Sequence, residues 1–140
     1  MESKLKVSGI IEESIVDGPG LRFTIFTRGC PHRCPGCHNP QTHDFDGGKW
    51  MTVEELIGMF DADPLLAGMT FSGGEPFCQP APLLLLARLV KARGKSVVIY
   101  SGYTIEALME MAAGNKAIDE LLSLCDLLID GPFTEQYKDL

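Results

Sequence analysis

The chain has 140 residues, of which 45% are hydrophobic and 22% charged, and this composition is typical of a soluble globular protein. Its length is sufficient for one hydrophobic core but too short for two, so residues 1–140 are expected to form a single domain. The net charge of −7 without a basic stripe argues against nucleic acid, while the absence of a membrane-spanning apolar run and of a secretory signal argues for a cytoplasmic protein without membrane contact.

Strand and helix patterns alternate along the chain. Apolar alternation and continuous apolar runs predict strands, and the capping-box spacing of Thr52 and Glu55 predicts a helix start. In chain order the predicted elements are a strand at Leu21 to Arg28, an irregular segment to about Lys49, a helix from Thr52 to about Phe60, a strand at Gly68 to Phe71, a helix at Pro82 to Arg93, a strand at Ser96 to Tyr100, a helix capped by Thr104, a helix near Ala117 to Leu124 and a strand at Asp126 to Asp130. Trp50 and the run Leu83 to Leu86 are expected in the core.

This alternation indicates parallel βα units in an α/β fold. Four such units are visible, and Leu5 to Ile11 is a candidate for one more strand. A closed (β/α)8 barrel needs roughly 200 residues or more. We therefore expect an open sheet or partial (β/α) barrel of about four to five mostly parallel strands.

The polar loops of the chain follow the predicted strands. They are the cysteine-containing segment, Ser72 to Glu75, Ser101 to Gly102 and Asp130 to Gly131. Ligands of α/β sheets bind at the carboxyl ends of the strands. The loops are therefore expected to converge on one site.

Three cysteines lie close together with the spacing C-x3-C-x2-C, at Cys30, Cys34 and Cys37. Three thiolates can hold three corners of a cubane iron–sulfur cluster, whereas an electron-transfer cluster is normally closed by four cysteines. The fourth iron would then be open to a substrate, as in catalytic metal sites. The alternative is a structural zinc whose fourth ligand is one of the three histidines of the chain, His32, His38 or His43.

An open iron can bind an amine and a carboxylate from one small molecule, such as an amino acid or S-adenosylmethionine. The segment from Ser72 to Glu75 suits such a ligand, because its two glycines let the backbone approach closely and the carboxylate is near. Ser101 could hydrogen-bond a ribose or a carboxylate, and Gly36 to Asn39 could offer backbone groups to an adenine. The Asp17 to Gly20 segment is most simply a turn, although it could present backbone to a bound peptide.

The cysteine spacing resembles the signature of radical S-adenosylmethionine enzymes. Three segments resemble, in order and spacing, the activases of glycyl radical enzymes: Asp17 to Arg22, Phe26 to Asn39, and Ser72 to Pro76. The short length, Tyr100 to Thr104 and Asp130 to Phe133 favour the group that activates the anaerobic ribonucleoside-triphosphate reductase.

This resemblance implies a cofactor set and site residues. The cofactors would be a [4Fe–4S] cluster and S-adenosylmethionine, and the electron donor a flavodoxin or ferredoxin. A 5′-deoxyadenosyl radical would remove hydrogen from the Cα of one glycine in the large reductase subunit. The implied cluster ligands are Cys30, Cys34 and Cys37; the implied S-adenosylmethionine-binding residues are Gly36, Cys37, His38, Ser72, Gly73, Gly74, Glu75 and Ser101; the candidates for contact with the partner's glycine loop are Asp17, Gly18, Pro19, Gly20 and Arg22.

Two features depart from the expected pattern. Gly36 stands where many superfamily members carry an aromatic residue, so adenine binding would rely on backbone groups, and the chain stops at Leu140, where we would expect a little more sequence. Two alternative functions stay open. One is an activase of another glycyl radical enzyme such as pyruvate formate-lyase, whose chains are usually longer. The other is a non-catalytic zinc- or cluster-binding module.

Overall fold

A computed structural model describes residues 4–16, 18–28 and 48–130 of the chain. These residues form one six-stranded sheet with the strand order β3-β1-β2-β4-β5-β6. The elements are β1 Lys4–Ser14, β2 Arg22–Thr27, β3 Lys49–Thr52, α1 Val53–Asp61, β4 Gly68–Gly73, α2 Pro80–Ala92, β5 Ser96–Tyr100, α3 Ile105–Gly114, α4 Lys116–Leu124 and β6 Leu127–Ile129, with a 3-10 turn at Pro76–Cys78.

The strands β2, β4, β5 and β6 run parallel, and β1 joins them to β3 through two antiparallel pairings. In register, Phe23 lies beside Met69, which lies beside Val97. The carboxyl ends of the parallel strands therefore lie at the same edge of the sheet. That edge is where the predicted site loops begin.

The two faces of the sheet differ in character. Because side chains alternate along a strand, Phe23, Phe71 and Ile99 share one face, and all three are fully buried in the core that α1, α2 and α4 help to close. Burying an apolar side chain of this size contributes about 1.5–3 kcal/mol. The opposite face carries the fully buried Thr24 and Thr70 in register with each other and with the buried Val98, so polar and apolar side chains meet at its centre.

Local signals fix the helix starts. Thr52 accepts a hydrogen bond from the Glu55 backbone at 3.0 Å, and the Glu55 carboxylate accepts one from the Thr52 backbone at 3.0 Å, so the predicted capping box is present. Thr104 caps α3 by accepting from Ala107 N at 3.1 Å. Both predicted caps are confirmed.

The predicted α/β class and the mostly parallel strands are confirmed, with two differences. The sheet has six strands instead of four to five, because Leu5 to Ile11 belongs to a long β1 and the residues from Lys49 form β3, which the prediction placed at the end of a loop. The described strands form an open sheet, and they do not establish a partial barrel.

Trp50 is not in the core as predicted, since its side chain is 58% exposed. It lies on the edge strand β3 opposite Lys6, whose Nζ is 5.5 Å from the ring centroid. A cation over an indole ring offsets part of the cost of this exposure. In the run Leu83 to Leu86, three leucines are buried and Leu85 is 36% exposed, because a continuous apolar run must turn one residue outward on a helix.

Among the residues in the three described ranges, no helix is both long enough and apolar enough to cross a membrane.

Candidate functional site at the carboxyl edge of the sheet

The end of β2 is hydrogen-bonded to the end of β4 and to the residue that follows it. Thr27 lies beside Gly73 in the sheet, its Oγ1 donates to the Ser72 carbonyl at 3.0 Å, and its own carbonyl accepts from Gly74 N at 2.9 Å. Gly73 has a φ of +91°, and a Cβ there would lie 2.5 Å from Thr27 N. Glycine is therefore required by both the backbone conformation and the lack of space.

The Glu75 carboxylate links the end of β4 to the end of β5. The side chain is only 1% exposed. Its Oε1 accepts from Gly102 N at 2.8 Å, and its Oε2 accepts from Ser101 Oγ at 2.8 Å and from Phe77 N at 3.2 Å. The structure thus brings together Ser72, Gly73, Gly74, Glu75 and Ser101 at one edge, the five predicted S-adenosylmethionine-binding residues that lie in its described part.

Gln79 lies at the end of the loop that follows β4, and the sequence patterns did not identify it as a site residue. Its Oε1 accepts from Lys6 N at 2.7 Å, while its Nε2 donates to the Lys6 carbonyl at 2.9 Å and to the Arg28 carbonyl at 3.3 Å. An amide side chain can pair with both backbone groups of one residue, as a neighbouring strand would. Arg28 is the last described residue before the cysteines, so Gln79 holds the start of the cysteine-containing segment.

The predicted cluster ligands Cys30, Cys34 and Cys37, together with Gly36, His38 and Asp17, lie outside the described residues. Within ranges 4–16, 18–28 and 48–130, no three His, Cys, Asp or Glu side chains are grouped so that they could hold a metal ion.

The cysteines outside the motif are both partly buried. Cys125 Sγ donates to the Leu127 carbonyl at 3.1 Å, and burial raises the pKa of its thiol to about 11. A thiol with this pKa is protonated at neutral pH and is a poor metal ligand or nucleophile. Cys125 therefore behaves as a small apolar residue.

Arg22 lies at the opposite edge of the sheet, in register with Gly68 and Ser96, the first residues of β4 and β5. The side chain is fully buried. It donates from Nε to Thr70 Oγ1 at 2.7 Å, from Nη1 to the Pro19 carbonyl and Ser96 Oγ, both at 2.9 Å, and from Nη2 to the carbonyls of Met69 and Ser96 at 3.0 and 2.9 Å. These five hydrogen bonds match the five N–H groups of a guanidinium.

This location does not bring Arg22 to the carboxyl edge. Burial lowers the pKa of the guanidinium, and the charge of Asp126 acts in the opposite direction. Gly18 and Gly20 have positive φ values of +136° and +73°, and a Cβ on Gly18 would meet Arg22 Cδ at 2.9 Å. The structure therefore assigns Arg22 to holding the Gly18–Gly20 turn, with no side-chain surface exposed for a partner.

Comparison with known proteins defines the class to which this chain belongs. A family model described as a 4Fe-4S single cluster domain matches residues 16–140. The chain is 35% identical over 133 residues to the anaerobic ribonucleoside-triphosphate reductase-activating protein of Escherichia coli K12, and 33% identical to that of Salmonella typhi; each match covers 89% of this chain and 82% of the relative. It is also 41% identical over 96 residues to the pyruvate formate-lyase-activating enzyme of Clostridium pasteurianum, covering 64% of this chain and 40% of that enzyme.

The class is thus that of iron–sulfur proteins with a single 4Fe–4S cluster domain. More narrowly, the chain belongs to the family of glycyl radical enzyme activases. The resemblance drawn from the three sequence segments is confirmed at this level.

Proposed function

We propose that this protein activates the anaerobic ribonucleoside-triphosphate reductase by reductive cleavage of S-adenosylmethionine at a [4Fe–4S] cluster held by Cys30, Cys34 and Cys37. One observation carries the proposal. The strand that leads into the cysteines is hydrogen-bonded through Thr27 to Ser72 and Gly74. The start of the cluster segment and the predicted S-adenosylmethionine segment are therefore neighbours at one edge of a single sheet.

The chain fits such a cluster through its donor set and through the support of the segment that carries it. Three thiolates suit a cubane with one open iron. Arg28 N donates to the Lys6 carbonyl at 3.0 Å and Gln79 pairs with the Arg28 carbonyl, so the backbone entering the cysteines is fixed from two sides. When bound, the cluster would supply the one electron that breaks a carbon–sulfur bond of the S-adenosylmethionine sulfonium, leaving methionine and a 5′-deoxyadenosyl radical that could take a hydrogen atom from a glycine Cα.

The residues of the chain bind and orient the substrate in this proposal. The backbone at Ser72, Gly73 and Gly74 receives the methionyl ammonium, since two consecutive glycines let a ligand approach the main chain. Ser101 lies beside the adenosyl portion, and Gly36, Cys37 and His38 offer backbone groups to adenine. The electron comes from a flavodoxin or ferredoxin, and residues 1–140 act as one domain.

The partner is proposed to contact Asp17 to Gly20 with a part of its glycine loop away from the reacting glycine, because Gly18 and Gly20 lie beside Arg22 and Ala67 at the edge opposite the site. In this arrangement Arg22 supports the turn through the Pro19 carbonyl at 2.9 Å and does not touch the partner itself. The contact would therefore be made largely by backbone, which suits a glycine-containing peptide.

The length of the matches favours the reductase as the target. The chain spans 82% of the reductase-activating relatives but only 40% of the pyruvate formate-lyase-activating enzyme of Clostridium pasteurianum. The second candidate, an activase of pyruvate formate-lyase, is favoured by the 41% identity within the shorter match.

The test of this function uses protein reconstituted anaerobically with iron and sulfide. We expect a brown protein that bleaches with dithionite and then releases 5′-deoxyadenosine and methionine from S-adenosylmethionine in equal amounts. Cys34→Ala should lose both the colour and the products, whereas Cys125→Ala, outside the motif, should retain both. A colourless protein that binds zinc and releases neither product would contradict the proposal.

A further inference from the structure

The Glu75 carboxylate faces into the protein at the site edge, although the family resemblance implies that Glu75 binds S-adenosylmethionine. Both of its oxygens accept hydrogen bonds from the protein itself, and two of the three donors found among the described residues, Ser101 and Gly102, belong to the next strand end. The third is Phe77 N, within the same loop. A carboxylate that bound the ammonium group directly would present at least one oxygen to the bound molecule. Glu75, in contrast, is only 1% exposed.

We propose that Glu75 is a positioning residue that binds S-adenosylmethionine only indirectly, by holding the Ser101–Gly102 backbone against the Gly73–Gly74 turn. This inference rests on the proposed function. Ser101 and Gly102 lie 26 and 27 positions away from Glu75 in sequence, so the carboxylate joins the loop after β4 to the loop after β5. The backbone of Ser101 is also held on its other side, since its N–H donates to the Ile129 carbonyl of β6 at 2.9 Å. Hydrogen bonds to a charged, buried acceptor are among the stronger ones in proteins.

The same bonds fix what Ser101 can offer a ligand. A serine hydroxyl has one proton and two acceptor lone pairs. The proton points to Glu75 Oε2, because a carboxylate oxygen can only accept, and one lone pair accepts from Tyr103 N at 3.1 Å. Ser101 can then offer a ligand only its second lone pair. This favours a hydrogen-bond donor such as a ribose hydroxyl over a carboxylate. Of the two groups that the sequence allowed as partners of Ser101, the geometry therefore selects the ribose.

The two roles of Glu75 predict different results for Glu75→Gln. An amide has one acceptor oxygen, so it cannot serve Gly102 N and Phe77 N together with the same geometry, and the link between the loops is weakened. If Glu75 acts through Ser101, then adding Ser101→Ala to Glu75→Gln should weaken S-adenosylmethionine binding little further. If Glu75 contacts the ammonium directly, then the two changes act at separate points of the ligand and their effects should multiply.

The experiment measures the dissociation constant of S-adenosylmethionine on the dithionite-reduced, cluster-loaded protein, from the change that binding causes in the electron paramagnetic resonance signal of the cluster. The proteins are the wild type, Glu75→Gln, Ser101→Ala and the double variant. Glu110→Gln is the matched control, because Glu110 is exposed on α3 and should bind as the wild type does. Deuterium uptake of residues 99–104 is measured in the same proteins without S-adenosylmethionine.

We expect Glu75→Gln to weaken binding about tenfold, the effect of losing one charge-assisted hydrogen bond, and the double variant to bind within about twofold of Glu75→Gln. Uptake at residues 99–104 should rise in Glu75→Gln before any ligand is added. Multiplicative losses, or raised uptake with unchanged binding, would overturn the positioning role while leaving the proposed function intact. A wild-type protein that binds its cluster but no S-adenosylmethionine would overturn both.

If Glu75→Gln does not load its cluster, Ser101→Ala carries the test, because it keeps the Glu75 bonds to Gly102 and Phe77. Weakened binding by about threefold with raised uptake at residues 99–104 would then support the link, and unchanged values would refute it.

Discussion

Replacing Arg22 by lysine tests whether this side chain supports the fold or contacts a partner. The guanidinium makes five hydrogen bonds in a fully buried position. An ammonium has three donors on one nitrogen, so at least two of the acceptors lose their partner. At about 1.5–3 kcal/mol for each bond to a charged group, the loss of two bonds in Arg22→Lys should lower the free energy of unfolding by about 3–6 kcal/mol.

This loss is a large part of the 5–15 kcal/mol that typically stabilises a domain. With a urea dependence of about 2 kcal/mol per molar, the unfolding midpoint of Arg22→Lys should fall by about 1.5–3 M under anaerobic conditions. Arg88→Lys is the matched control, since Arg88 forms an exposed ion pair with Glu120 and such pairs contribute at most about 1 kcal/mol. A normal midpoint for Arg22→Lys combined with a lost glycyl radical in the partner would refute the structural role and restore Arg22 as a partner contact.

Three further changes probe the site edge and the helix caps. Gly73→Ala should destabilise the protein by at least about 2 kcal/mol in urea unfolding and reduce S-adenosylmethionine cleavage, whereas Gly58→Ala on α1, where a Cβ meets nothing within 4 Å, should be neutral or stabilising; equal effects would contradict the crowding at Gly73. Gln79→Ala removes one hydrogen bond to Arg28, at the start of the cysteine segment, and two to Lys6 on the neighbouring strand. It should lower the iron bound per chain after reconstitution, and full iron content would argue against its anchoring role. The Thr52 backbone hydrogen bond lowers the pKa of the Glu55 carboxyl below its ordinary value of 4.5. The stability that the Glu55 carboxylate contributes is therefore present above pH 4.5 and is lost as the pH falls through the lower pKa of the folded protein. The urea midpoints of Glu55→Ala and the wild type should therefore differ at pH 7 and converge in acid, and a constant difference would show that the carboxylate charge is not involved.

The parts of the fold that follow from local chemistry could be predicted from the sequence. Thr52 and Thr104 begin helices because their hydroxyls satisfy backbone N–H groups one turn on, and that signal is contained in a few consecutive residues. The strand β3 could not be predicted in the same way. Its four residues pair with β1, more than 40 positions earlier, and nothing within Lys49–Thr52 itself identifies that partner.

The candidate site shows the same division. The order of strands and polar loops predicted that Ser72 to Glu75 and Ser101 would meet, because parallel strands end at one edge. The roles of individual side chains depended on contacts between distant residues. Arg22 stands beside a turn in sequence, which suggested an accessible position, yet its partners Thr70 and Ser96 come from two other strands and bury it.

The most direct test of the central claim is the electron paramagnetic resonance spectrum of the large reductase subunit after anaerobic incubation with this protein, S-adenosylmethionine and a one-electron reductant. We predict the doublet of a glycyl radical, which collapses when the partner's glycine carries deuterium at Cα. The doublet should be absent with Cys34→Ala and absent when pyruvate formate-lyase replaces the reductase. A doublet only with pyruvate formate-lyase would contradict the assigned target, and no doublet with either enzyme, from protein that carries its cluster, would contradict the activase function itself.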